Sequence, residues 1–310
     1  MSYYSRLNKS FEGVPRLPLN YRSKYVLISD CHRGTGGSND NFLKNRNLYF
    51  AALQHYYRTG YTYIELGDGD ELWENRGMRQ IIEAHGDVFH LLTRFQEQGR
   101  LYMIYGNHDI IKKNIRYTAK SYSAYPDCCG NNPHLEKRPL LPDVKFHPGI
   151  ILENTSSPDS RDVYLTHGHQ ADLFNSTFWR LSRFLVRYLW KPLERYGVLD
   201  PTSAAKNYTR KEKTEQRLQH WAEKENRILI TGHTHRPALS IADSYYLNSG
   251  SCVHPYSITC LEIERMQIRL IKWVLSSRPD MSLYVSREIL SGPMPLAAMP
   301  LRDRCHVMGP

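Results

Sequence analysis

The stretch ILITGHTHRP (228–237) sets two histidines one residue apart, directly behind a β-branched run and a glycine. An isolated His-x-His is equally compatible with one imidazole capping a turn and the other facing water. Donors of the same kind recur along the chain, however. In order they are Asp30-x-His32, Gly67-Asp68, Gly106-Asn107-His108-Asp109, Thr166-His167-Gly168-His169 and Gly232-His233-Thr234-His235. Apart from glycine and threonine, these blocks offer almost only carboxylate, amide oxygen and imidazole. Carboxylates gathered in one place repel one another unless a cation lies among them, so metal binding is the economical explanation. The neighbouring glycines allow tight turns and close backbone approach.

Something must hold these blocks together, and the first half of the chain alternates strand and helix signals. KYVLIS (24–29) is a β-rich run ending at Asp30, and helical apolar spacing follows over 41–60, stopping at Gly60. YTYIEL (61–66) reads as a second strand, 79–98 as one helix ending at Gly99, and LYMIY (101–105) as a third strand. A β-α-β-α-β order implies a parallel sheet with right-handed crossovers, whose ligands gather at the carboxyl ends of the strands. Residues 112–142 look like an irregular insertion without an assignable role. Strand-like runs return at DVKFHPGIILEN and DVYLTHGH, and a helical insertion over about 171–226 precedes RILITGHTH. SYYLNSG, SITCLEIE and QIRLIKWVL alternate like antiparallel strands, and the chain beyond about 275 reads as a peripheral tail.

Composition is that of an ordinary globular chain. It has 310 residues, 41% of them hydrophobic, and a net charge of +10, which favours anionic partners such as phosphorylated substrates, nucleic acid or acidic membranes. No signal-like stretch opens the sequence, and nowhere do about 18 consecutive apolar residues occur, which together predict a cytoplasmic protein. Six cysteines without a C-x-x-C pair form neither a zinc knuckle nor a secreted disulfide framework.

The five blocks, in this order, resemble the calcineurin-like metallophosphoesterase superfamily, with its D-x-H, G-D, G-N-H-D, H and G-H-x-H motifs, over roughly residues 24 to 275. The resemblance implies an α/β fold, a four-layer αββα sandwich of two mixed β-sheets with a helical lid over about 171–226, a domain over 1–275 and a peripheral tail over 276–310. It implies that Asp30, His32 and His235 hold one divalent ion, that Asn107, His167 and His233 hold another, and that Asp68 bridges them. Manganese is favoured, with iron or zinc as alternatives. Two such ions about 3.5–4 Å apart can share a hydroxide, lower its pKa and clamp phosphoryl oxygens during in-line displacement. Cys31, between two of the ligands, should point away from them.

His108 stands where the superfamily keeps a histidine that stabilises or protonates the leaving oxygen. Asp109 would fix its tautomer, or would instead cap the next turn. His169 is expected near the second metal rather than bound to it. Arg33 could reach a phosphate as a fork donor, or be structural.

GDGDELWENR lacks the form of the Ser/Thr protein phosphatases. The insertion and the acidic-Trp pair after Asp68 look similar to the UDP-2,3-diacylglucosamine diphosphatase branch, which commonly carries Arg where this chain has His108. NSTFWRLSRFLVRYLWK (175–191) on a helical wheel puts Arg180, Arg183, Arg187 and Lys191 on one stripe, opposite Phe178, Leu181, Leu185 and Leu189, with Trp179, Val186 and Trp190 flanking. Such a helix suits an acyl chain or the inner membrane surface, with Trp179, Arg183 and Arg187 binding substrate; an ordinary lid with solvated arginines is the other reading. The sequence therefore points to a phosphodiester or pyrophosphate hydrolase acting on a lipid-linked or nucleotide substrate. A nuclease of the same superfamily is the alternative, and a non-catalytic scaffold fits least.

Overall fold

Strand periodicity decides the layering. In β2, Tyr25 and Leu27 face one side of a sheet and Val26 and Ile28 the other, and all four are buried, so both faces must be covered. The computed structural model describes residues 1–37, 40–123, 125–126, 137–156, 161–190, 208–239 and 245–296. The strands are β1 (Arg16–Leu19), β2 (Lys24–Ile28), β3 (Thr62–Leu66), β4 (Leu101–Ile104), β5 (Tyr125–Pro126), β6 (Lys137–Arg138), β7 (Phe146–His147) and β8 (Gly149–Asn154). They continue with β9 (Val163–Thr166), β10 (Ile228–Thr231), β11 (Tyr246–Asn248), β12 (Ser257–Glu264), β13 (Gln267–Ser277) and β14 (Leu283–Pro295).

A seven-stranded sheet runs β14-β13-β12-β2-β3-β4-β7, parallel from β2 to β7 and antiparallel from β2 out to β14. A five-stranded sheet runs β1-β8-β9-β10-β11, with β9, β10 and β11 parallel. Leu27, Ile64, Leu66 and Ile104 of the first sheet meet Ile150, Leu165, Ile230 and Leu247 of the second in a shared core. Helices Arg46–Arg58, Met78–Ala84 and Gly86–Glu97 cover the outer face of the larger sheet. Helices Tyr3–Lys9 and Tyr208–Glu225 cover the smaller one, the latter through Leu218 and Trp221. The result is the four-layer αββα sandwich of two mixed sheets.

Three elements differ from the sequence reading. The helix expected over 79–98 is two, broken at His85, whose ring turns inward so that Nε2 lies 2.8 Å from the buried Asp40 carboxylate. Residues 276–296 are corrected from a peripheral tail to a sheet edge: β14 pairs along β13, and Met294 and Leu296 enter the core between the sheets, while 297–310 lie outside the described residues. Its prolines hid it, yet Pro293 and Pro295 lie on the sheet's outermost strand, the position that tolerates a missing N–H. The single helix expected over 175–191 is instead two short helices, Leu173–Ser176 and Trp179–Leu185, followed by a π-turn over Val186–Trp190. Ser182 and Val186 turn inward, while Phe178, Leu181, Phe184 and Tyr188 are left exposed. Lys191 and the side chain of Trp190 lie outside the described residues.

Candidate metal centre

The strand ends converge. Asp30 follows β2 by two residues, Asp68 follows β3 by two, Asn107 follows β4 by three, His167 directly follows β9, and His233 follows β10 by two. Backbone bonds lock the loops together: Asp30 N donates to Gly67 O (3.0 Å), His32 N to Asp68 O (2.9 Å) and Gly232 N to His167 O (3.1 Å). Asp30, His32, Asp68, His233 and His235 all have left-handed backbone, with φ between 49° and 70°. Non-glycine residues adopt this region only at a cost of about 1–3 kcal/mol each, so the loops that aim these side chains inward are held under strain. Glycine is required beside them for space. A Cβ at Gly106 would stand 2.0 Å from Asp68 Oδ1, and one at Gly232 would stand 2.3 Å from Asp30 Oδ2.

Three donor groups result: His32 with Glu71 and His108, and two that contain expected ligands only. Asp30, His32 and His235 bring ligand atoms within 4.8 Å of one another, and so do Asp68, His167 and His233. His235 Nε2 is 3.1 Å from Asp30 Oδ1, and His32 Nε2 is 3.8 Å from the same oxygen. Asp68 Oδ2 lies 3.1 Å from His167 Nε2 and 3.9 Å from His32 Nε2, between the two groups. Asn107 Oδ1 is 3.2 Å from His167 Nε2. The other oxygens of the two aspartates are engaged, Asp30 Oδ2 by His233 N and Asp68 Oδ1 by His108 N.

Donor chemistry tests whether a cation fits. His167 Nδ1 lies 2.8 Å from Leu66 O, a pure acceptor, so Nδ1 carries the proton. Its Nε2 lone pair then faces the Asp68 carboxylate, an arrangement that requires either a second proton or a cation. His32 Nε2 and His233 Nε2 are buried without a hydrogen-bond partner, and Asp30 Oδ1 has only the poorly aligned His235 Nε2 beside it. Such orphans are costly in a water-excluded site, and a divalent ion in each of the two groups of expected ligands would satisfy them.

Electrostatics carry the same demand for positive charge. Burial pulls His32 down, but Glu71, Asp68 and Asp30 outweigh it and raise its pKa to about 10. His167 rises to about 9, since Asp68 and Asp30 overcome its burial. His233, buried beside His167, falls to about 4. Asp68 stays ionised well below the usual carboxylate range because His167, His108 and His32 overcome its burial. Without a metal, protons on imidazoles would compensate the carboxylates; a bound ion would take over that role.

The sequence profile of the calcineurin-like phosphoesterase family matches residues 23–237, more than half of the chain. The chain belongs to the calcineurin-like phosphoesterase family. No curated protein matches it significantly. Among solved structures it is similar to a conserved uncharacterized protein from Streptococcus pneumoniae TIGR4 described as a predicted phosphoesterase. That match has a TM-score of 0.35 and 13% identity over 86% of this chain and 97% of the other. It is also similar to Vps29 from Chaetomium thermophilum, with a TM-score of 0.37 and 10% identity over 86% and 96%. At these distances the likenesses carry no statement about chemistry.

Within this family frame, several residues have other duties than the sequence suggested. His108 is at the site, but its Nδ1 lies 2.8 Å from Glu71, not beside Asp109. Asp109 instead accepts from Gly106 N (2.7 Å) and Lys112 Nζ (3.0 Å), so the tautomer-holding role is corrected to Glu71. Glu71 is also 2.9 Å from His32 Nδ1, and Trp73 stacks on His108 at 4.3 Å while donating to Asn107 O. The acidic residue three positions after Asp68, followed by Leu-Trp, was the signal in the sequence for this support. Arg33 is corrected from a phosphate donor to a core residue: it is wholly buried, forked onto Glu65 and bonded to Asp70.

Arg187 is likewise corrected, because its guanidinium donates to the carbonyls of Leu72, Trp73 and Asn75 and ties the π-turn to the loop beside His108. Trp179 and Arg183 are half-buried in the same segment. His169 is buried with Nδ1 unpartnered, its ring 5.5 Å from His167, and belongs to none of the donor groups. Cys31 packs into the helix-side core, away from the ligands.

Proposed function

We propose that this protein hydrolyses a phosphodiester or pyrophosphate bond with two divalent ions as cofactors. Asp30, His32 and His235 would hold one, and Asn107, His167 and His233 the other, with Asp68 between. The convergence of these side chains around unpartnered buried atoms carries the reading. Bound divalent ions would supply charge neutralisation for the phosphoryl group and an activated water. The chain's own residues do the rest. His108, with Nδ1 held by the Glu71 carboxylate, would use its other ring nitrogen, Nε2, to protonate a leaving oxygen. Against burial, Glu71 and Asp68 raise the pKa of His108, which keeps that proton available. Trp73, stacked on the ring, limits its rotation and excludes water from that side.

The favoured substrate is lipid-linked or a nucleotide, as in the UDP-2,3-diacylglucosamine diphosphatase branch. Support comes from Phe174, Phe178, Leu181, Phe184 and Tyr188, exposed together on the segment that Arg187 docks beside His108. An acyl chain or the inner face of a membrane would cover them. Among the described residues no helix is long and apolar enough to cross a membrane. A manganese-loaded panel tests the reading: a nucleotide-lipid pyrophosphate, a plain nucleotide diester, single-stranded DNA and a phosphopeptide. Preference for the first supports it, while preference for DNA makes the protein a nuclease.

A further inference from the structure

Beside the metal centre, three cations gather around one indole, and a fourth lies one turn further along the same segment. Lys113 Nζ lies 5.9 Å from the Trp179 ring centroid, and the guanidinium carbons of Arg180 and Arg183 each lie 5.6 Å from it. Arg187, one turn further, is bonded only to neutral carbonyls, so its charge is also uncompensated. None of the four has a carboxylate partner among the described residues, whereas Arg16, Arg33, Arg46 and Arg287 each have one. Like charges held this closely repel. The effect registers on Arg183, whose pKa is lowered by burial first and then by Arg187. Lys113 closes the 3-10 turn that begins directly after Asp109 and so sits five residues from His108. The cluster is thus built from two separate elements and adjoins the reaction centre.

We propose that Lys113, Arg180 and Arg183 around Trp179 form a second anion site, which takes a phosphate group of the substrate other than the one being cleaved. Three cations about a single ring match a compact, multiply charged group better than an acidic protein surface, whose carboxylates are spread out. Guanidinium and ammonium groups bond phosphate oxygens with charge assistance, and the indole provides a rigid apolar floor beneath them. Arg187 adds to the field while anchoring the segment. The substrate would then carry at least two phosphate groups, or a pyrophosphate plus a separate phosphate.

The kinetic arm of the test rests on the phosphoesterase reading; the binding arm does not. Two chromogenic esters are compared on the manganese-loaded protein: thymidine 5′-(p-nitrophenyl phosphate) and the same compound carrying an additional 3′-phosphate. The extra phosphate should lower KM by about tenfold or more, the size of a charge-assisted contact. In Lys113→Ala and Arg183→Ala that ratio should fall toward one. Separately, inorganic pyrophosphate is titrated into chelator-treated protein while tryptophan fluorescence is followed. A change present in the wild type, absent in Trp179→Phe and weakened in Lys113→Ala and by added salt is expected. Should neither ester turn over while pyrophosphate still perturbs Trp179, the hydrolase reading fails and the anion site stands. An equal KM for both esters together with a silent Trp179, or a KM ratio unchanged in the variants, overturns the proposal.

Discussion

Asp68 and Asp70 are two residues apart and equally hidden from solvent, yet they belong to opposite kinds of charge cluster. Asp70 lies in a closed ionic network, bonded to Arg33 (2.7 Å) and to Lys112, with Glu65 and Asp109 as the other acids. Two cations face three carboxylates there, and Tyr63 and Gly106 N supply further donors. Asp68 faces imidazoles, and the buried atoms around it lack partners. Buried acid alone therefore does not mark a metal site. What marks it is an acceptor-rich cluster whose compensating charge is missing from the protein itself.

The sharpest way to break this comparison is Asp68→Ala. Hydrolysis should fall below detection and elemental analysis should find metal lost from both positions, since a carboxylate between two ions cannot be removed from only one. Two full equivalents retained would end the bridging assignment. His108→Ala should keep its metal while kcat falls about 10²–10⁴-fold, with a smaller loss for good leaving groups such as nitrophenolate. Glu71→Gln should reproduce part of that loss, whereas Asp109→Asn should not, if the support runs through Glu71.

Lys112→Met tests the closed network. It strands Asp70 and Asp109 in the core, so urea unfolding should show a loss of about 3–5 kcal/mol, while the folded fraction still binds metal normally. Simultaneous loss of metal would mean the two clusters are one. Chelation should act in the reverse sense: a ligand at 100 times its Kd stabilises by about 2.7 kcal/mol, so removing metal should lower the wild-type Tm and leave that of Asp68→Ala unmoved. The smallest effect is expected for Arg187→Ala, which frees the π-turn from Leu72, Trp73 and Asn75. Hydrogen exchange should quicken over 72–75 and 186–189, with global stability changed by less than about 1 kcal/mol.

Much of the site was legible because its donors follow strands whose apolar runs are short and bounded, and the order of β2, β3 and β4 was fixed by helical segments between them. Arg33 shows where legibility stops. Beside a D-x-H block an arginine reads as a phosphate donor, and only the position of Glu65, on the same outward face of β3 as Tyr63, draws it into the core. Asp109 failed similarly: sequence neighbours of His108 were candidates for its partner, but the carboxylate that reaches the ring comes from a loop 37 residues earlier. The helix over 175–191 failed because a wheel assumes one unbroken α-helix: the segment breaks after Ser176 and passes into a π-turn at Val186, and the face that turns inward is Ser182 with Val186 one turn on, while Phe178 and Leu181 of the expected apolar arc stay exposed.

The sequence by itself determined the donor types, their order at strand ends and the layered class of the fold, because residue chemistry and strand period are local properties. Only the tertiary structure decided which charges are compensated within the protein and which are left open. Compensation depends on partners brought in from distant strands and loops: Glu65 for Arg33, Glu71 for His32 and His108, and the carbonyls of 72, 73 and 75 for Arg187. Burial then turns those pairings into large energies, since a charge removed from water must find its counter-charge nearby.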